Sequence, residues 1–437
     1  MEWWLILSFI FLGLIVLFLL GVPVAVAFLA INIIGAYIFW GGGLGLQQLT
    51  LSIYNSISSF ALLPVPLFVL MGEIMFQSGV APKMLDVLDK WIGRLPGRLG
   101  IVTVLGGTLF ATLTGSAMAS AAMLGSVLLP EMQRRGYKNP MSLGPILGSG
   151  GLAIMVPPSA LGVLLAAIAR LSIGDFLVAI TIPGLLMGFL YTVYVVGRGL
   201  IQPHLAPIYE MEKTPLAEKV KLFLLYVLPL GGILFLVVGL IFLGVATPTE
   251  SAALGAAGCF VLGFSYRGLN WIALKKAISG SVRISVMMFI ILTGSTAFSQ
   301  ILGYTGAAEG LVKLGTGLDF PPWVVVLIMQ FILLIMGTFM EPLTILMISL
   351  PVFMPVIKSL GLDPIWFGVV VLLNMEMANT SPPFGLTLFV VKGVAPEGTT
   401  MKDIYLAGLP FLLCDAVTMA AMLVFPQIVL WLPNLME

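Results

Sequence analysis

The chain has 437 residues, of which 60% are hydrophobic and only 9% are charged, and its formal net charge is +1. These values exclude a soluble globular domain and indicate an integral membrane protein. Membrane lipids, rather than nucleic acid, are the expected surroundings. Cys259 and Cys414 both lie in apolar segments, so neither a disulfide framework nor a transition-metal cluster is indicated.

Long apolar segments predict about ten membrane-spanning helices, each of roughly 20 residues. They are placed at 5–20, 23–40, 53–77, 143–169, 176–197, 222–243, 250–266, 284–303, 365–391 and 404–432. The first segment has no basic N-terminal region and no small-residue cleavage site. We therefore interpret it as a span and not as a signal peptide.

Two further apolar stretches, 99–130 and 323–355, are too long for one span and are interrupted by Gly, Pro and small polar residues. We interpret both as re-entrant hairpins. Irregular backbone at membrane depth is tolerated only where protein buries it or where it lines a cavity. The tips of the hairpins are therefore expected to belong to a binding site.

The same three features occur twice in the same order. Gly115-Ser116, Leu129-Pro130 and Pro157-Pro158 are followed, about 220 residues later in each case, by Gly337-Thr338, Leu350-Pro351 and Pro382-Pro383. Paired prolines remove backbone donors, which predicts broken helices at 143–169 and 365–391. The duplication predicts a transporter with inverted repeats and a binding site between them.

The basic residues predict the orientation. The predicted spans place 17 of the 20 Lys and Arg residues on one side, which is expected to be cytoplasmic, and only Arg170, Lys313 and Lys358 on the other. This distribution requires the two hairpins to enter from opposite faces, as an inverted repeat does. Both termini are then expected outside the cell membrane, on the periplasmic side.

The predicted organisation has five parts. They are N-terminal scaffold helices (1–52), a first repeat (53–197), a cytoplasmic linker (198–221), a second pair of scaffold helices (222–283) and a second repeat (284–437). The linker is expected to contain a short amphipathic helix and to expose the single histidine, His204.

The hairpin tips and helix breaks carry hydroxyl groups and freed carbonyl oxygens, which suit a cation such as sodium. The alternative is that their small residues only allow helices to pack closely. The duplication of a tip together with a Pro-Pro break favours two related cation sites. Helix N-termini at the tips would add positive charge facing a solute carboxylate.

Five acidic residues lie within apolar segments, where an ionisable group suggests a function. They are Glu73, Glu250, Glu341, Glu376 and Asp415. Glu341 and Glu376 follow the second tip and precede the second break, and are candidates for tuning a cation site or carrying protons. For the other three, a structural hydrogen bond or an interfacial position is the favoured interpretation.

Two runs of residues resemble a known family. The run 244–253, which contains Thr247-Pro248-Thr249-Glu250, is similar to the T-P-T-E-A-A signature of the large membrane subunit of tripartite ATP-independent periplasmic (TRAP) transporters. The run 64–73 and both Pro-Pro breaks also resemble that family, and the similarity extends along essentially the whole chain.

The resemblance implies sodium-driven uptake of an organic acid, usually a carboxylate, across the bacterial inner membrane. The solute would come from a periplasmic solute-binding protein, and the partner would be a small membrane subunit of about four spans. The chain contains no extra four-span block, so that subunit is expected to be a separate chain. The implied fold is that of the ion-transporter superfamily, in which hairpins and broken helices move as an elevator.

Carried over by motif, the resemblance implies two sodium sites. The first comprises Gly115, Ser116, Ser149, Ala153, Val156 and Ser159, and the second Gly337, Thr338, Ala378, Ser381 and Phe384. Neighbouring candidates for the solute cavity are Thr114, Ser120, Pro157, Pro158, Glu341, Thr380, Pro382 and Pro383. The family often has Gly in place of Ala153 and Ala378, and Thr in place of Ser381.

Two other classes of membrane protein are alternatives. A stand-alone sodium-coupled carboxylate symporter, or a sodium/proton antiporter of the same superfamily, would need no binding protein, but the T-P-T-E run argues against it. An intramembrane enzyme would need a catalytic set, and the chain has no H-E-x-x-H motif, no G-x-S-x-G motif and only one histidine. No G-x-x-x-x-G-K-[ST] loop is present, so direct ATP drive is not expected.

Overall fold

Helices form most of the chain in a computed structural model, which describes residues 2–93, 95–114, 116–209, 214–317, 320–338 and 340–436. No strand is found within these ranges. The prediction of an all-α membrane protein is therefore confirmed. The predicted site residue Gly115 lies outside the described residues.

The helices of the first half are α1 (Trp3–Leu19), α2 (Val24–Phe39), α3 (Gly43–Ile57), α4 (Pro64–Gln77), α5 (Ala81–Ile92), α6 (Arg98–Thr114), α7 (Ala117–Arg134), α8 (Asn139–Met155), α9 (Ala160–Ala169), α10 (Ile173–Ala179) and α11 (Thr181–Ile201). Those of the second half are α12 (Leu216–Tyr226), α13 (Leu228–Leu234), α14 (Leu240–Phe242), α15 (Pro248–Ser265), α16 (Trp271–Tyr304), α17 (Ala307–Gly317), α18 (Pro322–Gly337), α19 (Pro342–Ser359), α20 (Pro364–Thr380), α21 (Leu386–Val394), α22 (Met401–Val424) and α23 (Gln427–Asn434).

Several helices are long and apolar enough to cross a membrane. Among the described residues these are Ile173–Ile201, Leu216–Phe242, Trp271–Tyr304, Pro342–Ser359 and Met401–Val424, and two bent pairs bring the total to as many as seven. The helices α1, α2 and α18 are apolar but only 16 or 17 residues long. The predicted number of about ten full spans is thus higher than length and composition support.

The two predicted hairpins correspond to the helix pairs α6–α7 and α18–α19. The predicted broken helix 143–169 is confirmed as α8 and α9, which meet at a bend of 41°. The broken helix 365–391 corresponds to α20 and α21, separated by residues 381–385. Re-entry of the hairpins into the membrane and the inverted relation of the halves stay predictions.

The predicted span 53–77 is wrong. The structure has α3 ending at Ile57, a short 3-10 turn, and a new helix that begins at Pro64. Proline favours the first position of a helix because its missing N–H is not needed there. α3 was not predicted, because Gln47, Gln48 and Thr50 lower the mean hydropathy of this segment. A helix nevertheless begins there, directly after Gly42.

Two other predicted spans have different limits. The predicted span 284–303 is the C-terminal part of α16, which has 34 residues and begins at Trp271. The Asn270 side chain caps this helix by accepting a hydrogen bond from its first turn. The span 404–432 is divided at Pro426, where α22 has ended and α23 begins. The predicted boundaries between scaffold helices and repeats, at 52/53 and 283/284, therefore fall inside the continuous helices α3 and α16.

The broken helices α8 and α20 form the centre of the structure. Every residue of α8 from Met141 to Met155 is buried, and α20 is buried along most of its length. α8 contacts α6 and α7, and α20 contacts α18 and α19. Each hairpin therefore packs against the broken helix of its own half.

A second group of helices packs beside this centre. α16 contacts α2, α3 and α4, and α4 contacts α15. This group, which we call the scaffold, touches the centre where α4 meets α6 and α9 and where α16 meets α9 and α19. The space between the scaffold and the two hairpins is therefore bounded by both halves of the chain.

Candidate functional site

The first helix break is a short extended segment. Val156 leaves helical geometry with ψ 122°, the Pro157-Pro158 peptide bond is cis, and Ser159 is the N-cap of α9. The Ser159 Oγ accepts a hydrogen bond of 3.0 Å from the Gly162 N–H. This N-cap satisfies one of the free donors at the start of α9. The helix that follows the break therefore begins with a capped first turn.

The two prolines of this break free two carbonyl oxygens. In an α-helix the carbonyl of one residue accepts from the N–H four residues later, and proline has no N–H. Pro157 and Pro158 therefore cannot bond the carbonyl oxygens of Ala153 and Ile154. Ala153 is fully buried, and a carbonyl oxygen without its helical donor suits a cation in chemical type.

The second break repeats this arrangement. α20 ends at Thr380, Ser381 is extended with ψ 133°, and the Pro382-Pro383 bond is cis. The prolines remove the donors that the carbonyl oxygens of Ala378 and Asn379 would otherwise have. The Ala378 oxygen accepts a long hydrogen bond of 3.4 Å from the N–H of Ser381.

The first hairpin tip is closed by Ser116. This residue is extended, and its Oγ accepts a 3.4 Å hydrogen bond from the N–H of Ala119 at the start of α7. Gly115 and the side chain of Thr114 lie outside the described residues. The hydroxyl of Ser116 is thus placed at a helix N-terminus, where the partial charge is positive.

The second tip contains the end of α18 and the start of α19. Thr338 follows the last residue of α18, and its hydroxyl donates a 2.7 Å hydrogen bond to the carbonyl of Ile335. Glu341 holds the N-cap position of α19, and Pro342 is its first residue. A carboxylate at a helix N-terminus is favourably placed with respect to the helix dipole.

Each tip lies against the broken helix of its own half. A Cβ added to Gly337 would stand 2.1 Å from the Cβ of Ala378, so the second tip contacts α20 directly. A Cβ added to Gly150 would stand 3.1 Å from the carbonyl oxygen of Ala117, at the first tip. Two residues of the predicted second site, Gly337 and Ala378, are therefore brought together.

A cavity of about 210 Å³ lies between the tips and the scaffold. It is lined by Ser116, Ala117 and Met118, by Glu341, Pro342 and Leu343, by Ile154, Ala160 and Leu161, by Asn379, and by Val69, Ile284, Met287 and Met288. Both halves and both groups of helices contribute to it. Its size fits a small solute.

Three helix N-termini meet at this cavity. The lining residues include the first residues of α7, α9 and α19, namely Ala117, Ala160 and Pro342. Each N-terminus carries unpaired N–H groups and a partial positive charge, which together favour an anion. Glu341 is the one ionisable side chain among the described lining residues.

Most of the other predicted site residues lie outside this lining. The Ser381 hydroxyl turns back to donate a 2.6 Å hydrogen bond to the carbonyl of Met377. Ser149 is fully buried and packs against Gly107 of α6, while Phe384 is 52% exposed. Thr380, Ser120, Val156, Ser159, Pro157 and Pro158 are buried, Pro382 is half-buried and Pro383 is exposed.

Some cavity residues were not predicted. Asn379 lies in the last turn of α20 and was not among the predicted cavity residues, although its position beside a freed carbonyl was a usable signal. Met287 and Met288 come from α16, and no pattern in that helix distinguishes them from ordinary apolar residues.

The acidic residues have different roles. Glu250 accepts a 2.8 Å hydrogen bond from the N–H of Thr247, in a capping box at the start of α15. Asp415 accepts a hydrogen bond from the Tyr191 hydroxyl. The structural interpretation of both residues is thus confirmed, whereas the carboxyl group of Glu376 has no hydrogen-bond partner in the described part of the chain.

A larger cavity of about 860 Å³ lies beside α3. The turn between α9 and α10 lines it with Arg170 and Asp175, and the T-P-T-E run lines it with Thr247 and Thr249. α3 adds polar side chains such as Asn55. This cavity is therefore more polar than the smaller one.

The chain is similar to known transporter subunits. The family model described as "Tripartite ATP-independent periplasmic transporter, DctM component" matches residues 11–428. The C4-dicarboxylate TRAP transporter large permease protein DctM of Pseudomonas aeruginosa is 34% identical over 394 residues, which cover 89% of this chain and 90% of that protein. The sialic acid TRAP transporter large permease protein SiaM of Vibrio cholerae is 29% identical over 422 residues, 95% of each chain.

Solved structures share the fold. The YdaH transporter of Alcanivorax borkumensis superposes with a TM-score of 0.64 at 17% identity and covers 88% of this chain and 89% of its own. MtrF of Neisseria gonorrhoeae gives a TM-score of 0.61 at 14% identity, covering 87% and 84%. At these identities the likeness concerns the fold of a membrane transporter alone.

The DctM proteins among the relatives are permease subunits, which confirms that the chain is not an enzyme. The family model spans nearly the whole chain, and the T-P-T-E run and both Pro-Pro breaks fall within the match. The chain therefore belongs to the DctM family, the large membrane permease subunits of TRAP transporters.

Proposed function

We propose that this subunit carries out sodium-coupled uptake of an organic acid by an elevator mechanism. The observation that carries the proposal is the cavity of about 210 Å³ at which three helix N-termini and both hairpin tips meet. Helix N-termini favour an anion, and a site enclosed by tips from both halves is suited to alternating access.

The solute we propose is a carboxylate. Relatives of this chain are named for C4-dicarboxylate, sialic acid and ectoine, which fits a family of organic solutes bearing carboxyl groups. The apolar part of the lining, from Val69, Met287 and Met288, would contact the carbon skeleton. The polar groups of Ser116 and Asn379 would fix its orientation.

Glu341 gives a physical reason for coupling to a cation. An anionic solute next to an ionised carboxylate is repelled, and the repulsion is strong where water is excluded. A sodium ion bound nearby would offset it, so that solute and cation bind better together than either does alone.

These residues suit sodium because they offer oxygen atoms as ligands. The Pro-Pro pairs deprive the Ala153 and Ala378 carbonyls of their helical donors, and Ser116 and Thr338 add hydroxyl oxygens at the tips. We propose that sodium binds near these oxygens and holds each tip against its broken helix. The contact of Gly337 with Ala378 supports the second of these sites.

The moving unit we propose comprises the two hairpins and the two broken helices, α6–α9 and α18–α21. These elements pack against one another around α8 and α20, while α4 and α16 face them across the cavity. Sliding the unit against this scaffold would carry the cavity from one membrane face to the other.

The partners we propose are a small membrane subunit of about four helices, in a separate chain, and a periplasmic solute-binding protein. The complex would reside in the bacterial inner membrane with both termini of this chain on the periplasmic side. The larger polar cavity beside Arg170 would then face the periplasm and receive the solute.

Uptake by the reconstituted complex tests this function. Liposomes containing this chain and its small subunit would be supplied with the binding protein and radiolabelled C4-dicarboxylate, under an inward gradient of sodium or of choline. We expect uptake only with sodium and with the binding protein. Uptake without the binding protein would favour a stand-alone symporter, and equal uptake in choline would overturn sodium coupling.

A further inference from the structure

The large cavity beside α3 is lined by buried polar atoms without partners. Ser52 on α3 is only 4% exposed, and its hydroxyl oxygen has no hydrogen-bond partner in the described part of the chain. The side-chain oxygen of Gln300 on α16 is also buried and without such a partner. Both residues line the cavity of about 860 Å³. Buried polar groups are nearly always hydrogen-bonded, so these two atoms point to a ligand in the cavity.

Other hydroxyl groups on α3 are satisfied within the helix. The Thr50 hydroxyl donates a 3.0 Å hydrogen bond to the carbonyl of Leu46, and the Ser56 hydroxyl donates a 2.7 Å hydrogen bond to the carbonyl of Ser52. Bonding to the carbonyl one turn earlier is a common arrangement for a hydroxyl inside a helix. Ser52 makes no such bond, and its hydroxyl is therefore available to a ligand.

The cavity also offers two charged side chains. Arg170 follows the end of α9 in the left-handed conformation, with φ 55°, and is exposed. Asp175 lies in the first turn of α10 and is half-buried. They are the ionisable side chains among the described lining residues. Neither takes part in an ion pair within the described ranges, so each can interact with a bound solute.

These groups define the chemistry of the solute. The planar guanidinium of Arg170 matches a carboxylate, to which it can donate two parallel hydrogen bonds. The Gln300 oxygen and the Asp175 carboxylate only accept, so the solute must carry donors such as hydroxyl groups. A second carboxylate on the solute would meet Asp175 and find no second cation in the described lining. The lining therefore favours a hydroxylated monocarboxylate over a dicarboxylate.

The cavity is large enough for such a solute and is separate from the site at the hairpin tips. Small-molecule pockets usually have volumes of about 300–1,000 Å³, a range that includes 860 Å³. The two cavities share no described lining residue. A ligand of the larger cavity would contact α3 and α16 of the scaffold on one side and the turn between α9 and α10 on the other.

We propose that this cavity is a second solute-binding site, at which Arg170 binds the carboxylate of a hydroxylated monocarboxylic acid and Ser52 and Gln300 bind its hydroxyl groups. The proposal rests on the proposed function in one respect, that the solute is an organic acid. It does not depend on sodium, because the predicted sodium ligands lie outside the lining of this cavity.

Calorimetric titration of the purified full-length chain in choline, without sodium, tests the proposal. The probes are gluconate, which carries one carboxylate and several hydroxyl groups, succinate, which carries two carboxylates, and sorbitol, which carries none. We expect gluconate to bind more tightly than either of the others. Absence of gluconate binding, or tighter binding of succinate, would overturn the assigned solute class.

Arg170→Asn tests the carboxylate contact. Asparagine tolerates the left-handed conformation, so the turn is kept. Gluconate affinity should fall about tenfold or more, since hydrogen bonds to charged groups are strong. Arg267→Asn is the matched control, because Arg267 is also exposed, has φ 54° and lines neither cavity. Equal affinities in the two variants would overturn the proposal.

Ser52→Ala tests the unpartnered hydroxyl in a way that a purely structural role would not satisfy. Without ligand its unfolding midpoint should not fall, because the lost hydroxyl has no partner, whereas gluconate affinity should fall several-fold. Thr50→Val, which removes a hydroxyl on the same helix outside the lining, should leave the affinity unchanged. An unchanged affinity in Ser52→Ala would contradict the assigned contact. Failure of sodium-driven uptake would not alter these titrations, which involve neither sodium nor transport.

Discussion

Gly337 lies directly against Ala378, so that a methyl group on Gly337 would stand 2.1 Å from the Cβ of Ala378. This contact joins the second hairpin tip to the end of α20. It places the end of one helix beside a carbonyl oxygen that Pro382 leaves without its helical donor. A side chain at Gly337 would therefore push the second tip away from α20.

Gly337→Ala should separate the tip from α20. Overpacking of this kind costs about 1–3 kcal/mol, and we expect a lower unfolding midpoint and a weaker stabilisation by sodium. Gly303→Ala is the matched control, because no atom lies within 4 Å of a Cβ at that helical position. A normal sodium response in Gly337→Ala would show that this contact is not part of a cation site.

Ser116→Ala and Thr338→Ala should each weaken sodium binding while leaving the fold intact. A ligand that binds only the folded state stabilises it by about 2.7 kcal/mol at 100 times its Kd. The midpoint of unfolding is compared in sodium and choline, where the variants should show a smaller sodium-specific rise.

Thr305→Ala is the control for Thr338→Ala. Thr305 also follows the last residue of a helix and donates a 2.8 Å hydrogen bond to the carbonyl of Ile301. Thr305→Ala therefore reproduces the local effect of losing a threonine hydroxyl at the end of a helix. Equal losses of sodium response in Thr305→Ala and Thr338→Ala would argue for a general effect on stability.

The linker between the two halves contacts a buried ion pair through Tyr209. Arg98 Nε lies 2.6 Å from the Asp89 carboxylate, and both side chains are largely buried. The Tyr209 hydroxyl donates to the same carboxylate at 3.2 Å, and the guanidinium of Arg135 lies 3.6 Å from the Tyr209 ring centre. Burial and the Asp89 charge raise the pKa of Tyr209, which therefore stays a donor throughout the neutral range.

Arg98→Met should destabilise the protein strongly. Removal of one partner from a buried pair costs about 3–5 kcal/mol because the remaining charge is left uncompensated. Lys90→Ala, which removes an ion pair with the exposed Asp86, should cost only about 0–1 kcal/mol. Unfolding midpoints that fall equally in the two variants would contradict the buried-pair interpretation.

The features that the sequence predicts correctly are local. Pro157 and Pro382 break their helices because proline lacks an N–H, wherever the rest of the chain lies. The 210 Å³ cavity depends instead on how α4 and α16 meet the tips, which no short pattern encodes. Glu376 could be recognised as an acidic residue in an apolar segment. Its carboxyl group, however, lies 1.7 Å from where a Cβ on Gly151 would stand, and this contact joins distant parts of the chain.

Glu341→Gln should make binding of an anionic solute less dependent on sodium. Glu341 is the one ionisable side chain among the described cavity residues. Two unit charges about 4 Å apart repel by roughly 4 kcal/mol at an effective dielectric constant of 20. Even a third of this energy corresponds to about a tenfold change in affinity.

The sodium dependence of uptake is therefore measured for Glu341→Gln and for Glu397→Gln, which removes an exposed carboxylate. We expect half-maximal uptake at a lower sodium concentration in Glu341→Gln alone, because less repulsion remains for the cation to offset. An unchanged sodium dependence would mean that Glu341 is already neutral when the solute binds. Sodium would then act by holding the tips closed against Ala153 and Ala378, and not by balancing charge.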